Sequence, residues 1–201
     1  MQKTLAQQIP QHAAGLPKDT PLPFMRCLFS ALLLWSVSQS SLAHGPTPHT
    51  LSNELTPEQW IDHGRRVHGG FGVLIGVGIR IGQDALDQLK AKPRQVDVTY
   101  FDSPAAPCPC IADGLIVALS ASPGQRSFRI AEQPAGQAWY GEVLIRHKQS
   151  GEEIRYCIRP EGMKALDAAQ RQTDTRVRYD AVMALPLSDL AVRSANPLRC
   201  E

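Results

Sequence analysis

The stretch Val67–Leu86, VHGGFGVLIGVGIRIGQDAL, constrains the fold most, because it threads glycines through an apolar run that continues into ordinary helical sequence. Val73, Val77 and Ile81, with Leu74, Ala85 and Leu89, recur at helical spacing, while Asp84, Asp87 and Lys90 fall on the other side. A helix over about 72–91 follows, closed by Pro93. Each glycine within a helix costs about 1 kcal/mol relative to alanine, so Gly76, Gly78 and Gly82 require an offsetting gain. The simplest is a second backbone packed against that face. The other use is a ligand cradle at the helix start, where free N–H groups around Gly69, Gly70 and Gly72 would favour an anion. Nucleotide loops are excluded: the third glycine of a dinucleotide fingerprint would fall on Ile75, no strand precedes it, and no Gly-Lys-Ser/Thr follows.

Around this helix the pattern predicts an α+β fold: one domain, a mixed or antiparallel sheet with helices packed on it. Thr56-Pro57-Glu58 is an N-cap followed by proline at the first helical position, opening a helix to about Val67. QVDVTYF alternates as a strand does, ADGLIVALSA is an apolar run of helical length, and a further strand is expected over 127–131. AWYGEVLIRH and EEIRYCIRP, joined by KQSG, form a hairpin with Val143, Ile145, Ile154, Tyr156 and Ile158 facing the core. Cys157 then faces with Arg155 and Arg159, away from the core. One helix through EGMKALDAAQRQ and a loosely packed end complete the chain.

Arg26–Ala43, RCLFSALLLWSVSQSSLA, has one positive charge, an apolar stretch and small residues before a cleavage point, the layout of a secretory signal peptide. The expected location is periplasmic or secreted. The apolar stretch falls short of the ~20 residues of a spanning helix, so no membrane span is expected after cleavage. Residues 1–24 are polar and proline-rich, with Met25 the expected start; 44–55 form a flexible lead and 56–201 the domain. Beyond Ala43 the chain balances 18 basic against 18 acidic side chains, with the arginines scattered, so nucleic acid is not an expected partner. The expected partner is a metal ion or a small molecule; a homodimer stays open.

Four cysteines follow the leader: Cys108, Cys110, Cys157 and Cys200. An oxidising compartment makes disulfides the default unless thiols hold a metal. Cys157 with Cys200 is the favoured pair. Cys108 and Cys110 are expected not to bridge each other, because a disulfide needs its Cα atoms ~4.4–6.8 Å apart and the intervening Pro109 resists the bend.

The segment HGGFGVLIGVGIRIGQDAL is similar to the opening motif of the FmdE-like family of formylmethanofuran dehydrogenase proteins, His-Gly-His-x-Cys-Pro-Gly followed by a Gly-x-Arg-x-Gly helix. His68-Gly69 and Gly78-Ile79-Arg80-Ile81-Gly82 match it. CIADGLIVALSASPG resembles the family's second motif, with Cys110, Asp113 and Gly124 on its positions. The likeness covers roughly residues 60–167. Gly70, Gly72-Val73 and Ala121 stand where the family carries its second His, its Cys-Pro and a later Cys. The resemblance implies an α+β domain whose motif residues gather near a transition-metal site; the departures imply an incomplete version of the usual ligand set.

Cys108 is extra to that pattern and can replace the lost thiolate, making Cys-Pro-Cys a two-sulfur clamp. Thiolate with imidazole suits zinc first and copper(I) second. His68, Cys108 and Cys110 are the expected ligands, with Asp113 beside them; His63 ranks behind, and His44 with His49 offers a separate copper chelate at the new N-terminus. The leading expectation is an exported metal-binding accessory or carrier protein. The alternatives are a metal-dependent enzyme on a small one-carbon or cofactor-bound substrate, with Asp113 as base, and a binding module whose metal site has decayed.

Overall fold

The computed structural model describes residues 55–200. The signal peptide, the residues before it, His44 and His49 lie outside the described residues.

α1 (Pro57–His68) starts where the capping signal places it. The Thr56 hydroxyl accepts from the Gln59 N–H and the Gln59 side chain accepts from the Thr56 N–H, a complete capping box. The helix stops at Gly69, whose φ of 87° is a left-handed conformation that favours glycine. After a short link, α2 runs over Val73–Gln88, β1 over Val96–Phe101, α3 over Cys110–Leu119 and β2 over Phe128–Ile130. The hairpin follows as β3 (Gly141–His147) and β4 (Glu153–Ile158). Short helices α4 (Pro160–Ala165) and α5 (Asp167–Gln170), then α6 (Thr175–Ala184) and α7 (Leu187–Leu190), lead to β5 (Ala191–Ser194).

The sheet is mixed, in the order β2-β1-β3-β4-β5: β1 and β2 are parallel and the other neighbours antiparallel. This is the α+β fold the pattern predicts. In the hairpin Val143 lies opposite Tyr156 and Ile145 opposite Ile154, so the predicted apolar face forms one row with Val98 and Tyr100 of β1. That row packs against the helices with Ile75, Ile79, Ile111 and Leu115. Tyr156 reaches through the layer and donates to Asp84 of α2 at 2.5 Å; burial, then that carboxylate, raise its ionisation far above the ordinary phenol range.

The glycines of α2 are explained by packing. A Cβ on Gly78 would stand 2.9 Å from the Gly114 Cα of α3, and one on Gly114 would stand 2.9 Å from the Gly78 Cα. Gly82 meets the Ala118 Cβ at 2.6 Å in the same way, and Gly76 accommodates Val182 of α6. The two helices touch backbone to backbone, a contact that offsets the propensity cost of the glycines. No helix among the described residues is long and apolar enough to cross a membrane.

The C-terminal region departs from the sequence reading. The single helix expected through 161–172 is broken at Leu166, and α6 had no expectation at all; it buries only Tyr179 and Val182, too few apolar positions to show a helical period. The end is not loose, because β5 pairs along β4 from Arg155–Ser194 to Ile158–Ala191. Beyond it the tail crosses the outer sheet face. There Arg155, buried, donates to Glu142 and to the Pro197 carbonyl, both at 2.7 Å, and stacks over the Phe101 ring. Cys157 faces that tail as expected and is bridged to Cys200.

Candidate functional site

His68 is the last residue of α1, and Gly69 reverses the chain behind it into α2. Because α2 lies backbone against backbone on α3, the start of α3 comes up beside the end of α1. Cys110 is the first residue of α3 and Asp113 lies one turn further on. Close packing by the glycines thus positions the site without forming part of it.

The His68 ring sits between these two side chains. Its Nδ1 is 2.6 Å from Asp113 Oδ2, and since an ionised carboxylate only accepts, Nδ1–H is the donor. That leaves Nε2 turned to Cys110 Sγ at 3.6 Å. Both side chains of the His–Asp pair are about a third exposed, at 34% and 30%, so the pairing orients the ring more than it stabilises the fold.

Cys108 and Cys110 are bonded to each other. This corrects the expectation that they sit too close to bridge. Their Cα atoms are 5.3 Å apart, within the span a disulfide accepts. Pro109 produces that separation: it stands just before α3 with φ −76° and ψ 34°, an ordinary proline φ with a turn at ψ, which brings the flanking side chains together. The sulfurs border an open cavity of about 460 Å³ whose walls include His68, Asp113, Ile116, Pro123, Phe128 and Ile130. The last two come from β2, which reaches the site only through its parallel pairing with β1. No local sequence signal marks them.

Gly69, Gly70 and Gly72 do not line this cavity. At the helix start, the Val73 N–H donates to Gln170 Oε1 of α5 at 3.0 Å, and the same amide lies against Gly72. Gln170 thus meets the helix start at Gly72 and Val73, whereas the space over Gly69 and Gly70 is open. His63 also lies away from the cavity, exposed on α1.

Among the described residues no three His, Cys, Asp or Glu side chains are grouped to hold a metal ion. With the sulfurs bonded to each other, neither is a thiolate, the form that binds metal. Two-electron reduction would give two sulfur donors next to an imidazole whose far nitrogen is held by a carboxylate, donor types that zinc and copper(I) accept.

The model of the family described as "FmdE, Molybdenum formylmethanofuran dehydrogenase operon" matches residues 67–190, from the residue before His68 to the end of α7. No curated protein matches the chain significantly.

Proposed function

The chain belongs to the FmdE family, whose model covers well over half of it, and from that premise we propose that it is an exported accessory protein that binds a transition metal reversibly through His68, Cys108 and Cys110. The observation that carries this reading is the His68 ring, fixed by Asp113 on one side and facing the Cys110 sulfur on the other. Metal-binding histidines are commonly oriented by a carboxylate at the second nitrogen. The disulfide form is the metal-free state, and a dithiol reductant opens it by donating two electrons to the bridge. Bound metal would supply a Lewis-acidic centre, with zinc favoured by the sulfur and imidazole donors and copper(I) next. Asp113 acts through His68, orienting the ring through its Oδ2.

Equilibrium dialysis of the protein from 44 onward against zinc and copper(I), in reduced and oxidised forms, tests the reading. Uptake of about one zinc ion per reduced chain and none by the oxidised chain is expected, and reduction should add about one copper(I) ion to whatever His44 and His49 hold in both forms. Zero stoichiometry in the reduced form overturns it. Export is checked separately: the protein recovered outside the cytoplasm should begin at His44.

A further inference from the structure

The Cys108–Cys110 bridge lines a cavity that the edge strand β2 also lines. β2 is an outer strand, paired only with β1 in the sheet order of the described residues. In that parallel ladder Ser127 and Ala131 bond to β1, so the backbone groups of Phe128 and Ile130 point away from it. Ile130 is 52% exposed, one of few large apolar side chains left in the open among the described residues, and Ile116 and Pro123 line the same cavity as the sulfurs. An edge with outward backbone groups beside an apolar cavity, here lined by Phe128 and Ile130 with Arg129 between them, is the kind of surface to which an extended peptide adds as a strand. A small hydrophilic thiol would use none of it.

We propose that the Cys108–Cys110 bridge exchanges with a cysteine thiol carried on an extended apolar peptide segment lying along β2. The peptide thiol loses its proton to water and its sulfur attacks Cys108 Sγ. The new bond is a mixed disulfide and the bond broken is Cys108–Cys110. The electron pair leaves on Cys110 Sγ, which takes a proton from water. Cys108 is the sulfur attacked because it is the more accessible, half-buried where Cys110 is only 9% exposed. Cys110 is the sulfur that leaves because it departs at the first residue of α3, beside the His68 ring, where helix N–H groups favour developing negative charge. A second cysteine of the peptide then attacks the peptide sulfur and releases Cys108 as a thiol. Two peptide thiols become one disulfide and one protein disulfide becomes two thiols, so two electrons and two protons are transferred. Cys157–Cys200 opens more slowly, since a thiol reaching the half-buried Cys200 must expel Cys157, which is buried at 1% exposure and lies on a strand, without the helix start that serves Cys110.

The exchange needs no metal and is followed in the presence of a chelator, so its outcome is independent of metal uptake. The oxidised protein is mixed with the peptide acetyl-Val-Ile-Cys-Ile-Val-amide or with N-acetylcysteine amide, quenched in acid, and its bridges mapped by mass spectrometry. The peptide should open Cys108–Cys110 about tenfold faster than the small thiol, the rate equivalent of one modest docking contact in the transition state. Cys157–Cys200 should stay closed. With Cys110→Ser, the peptide activated as its thionitrobenzoate disulfide should be trapped on Cys108. With Ile130→Ser, a neutral change at an exposed position, the ratio of the peptide rate to the small-thiol rate should fall toward one while circular dichroism stays as in the parent. Equal rates on the parent, retention of the full peptide preference in Ile130→Ser, or earlier opening of Cys157–Cys200 each overturn the proposal.

Discussion

The two disulfides are built from the same atoms and serve opposite ends. Cys157–Cys200 spans 43 residues, joins a buried Cys157 to a half-buried Cys200, and ties the tail to β4. Cys108–Cys110 spans two residues, borders a cavity, and faces an imidazole. In the chain-entropy description, closing the long loop removes about 4 kcal/mol of freedom from the unfolded chain and closing the short one about 1.5 kcal/mol. The long bridge is therefore a structural element, whereas the short one can open at little cost to the fold. Opening is what both metal uptake and thiol exchange require.

The widest break in that comparison is Cys157→Ser with Cys200→Ser. Thermal unfolding should fall by roughly 10 °C, from a loss of about 4 kcal/mol at about 2–4 °C per kcal/mol for a domain of this size. Metal uptake at 25 °C by the reduced chain should stay as in the parent. A change of only a degree or two would show that the pairing of β5 with β4, not the bridge, holds the tail.

Next in size is Gly114→Ala. The added methyl meets backbone at Gly78 rather than a side chain that can swing aside, so α3 must move off α2. A loss of about 1–3 kcal/mol is expected, at the top of that range because backbone has to move. The shift carries Cys110 and Asp113 away from His68, so metal uptake should fall too, while Cys157–Cys200 remains formed. Unchanged uptake alongside the lost stability would separate the helix contact from the site.

These helices show how far sequence carries. The glycines of α2, Gly78 among them, are legible as close-packing positions because a helix tolerates glycine only for a gain, and the hairpin is legible because its alternation is strict. α6 and β5 are not, since their few buried residues are fixed by what they pack on. At the site, His68, Cys110 and Asp113 stand out through motif and spacing, but the cavity wall from β2 comes from a pairing across the chain. The bridge across Pro109 escapes a reading in which proline is a barrier, because its ordinary φ with a turning ψ brings Cys108 and Cys110 to 5.3 Å.

Cys108→Ser with Cys110→Ser should lower stability by about 1.5 kcal/mol, near 5 °C in the unfolding midpoint, and abolish metal uptake altogether. This is the reverse of the long-bridge result. A drop as large as that of the long bridge would mean that the short bridge also holds α3 in place, and the division between structural and reactive disulfides would fail.

Asp113→Asn brings the smallest change in stability and isolates the ring from the sulfurs. The amide keeps the size of the side chain but removes the charge that fixes Nδ1–H, and a pair about a third exposed contributes only about 0–1 kcal/mol. Unfolding should therefore barely move. Affinity for zinc in the reduced chain should still fall about 10–100-fold, because the ring loses the partner that sets its tautomer and raises its basicity as a ligand. Asp113→Glu, which retains the charge on a longer arm, should recover part of that loss. If Asp113→Asn and the parent bind zinc equally well, Asp113 is a helix-start carboxylate with no bearing on His68 as a ligand, and the contrast between the two bridges would rest on the sulfurs alone.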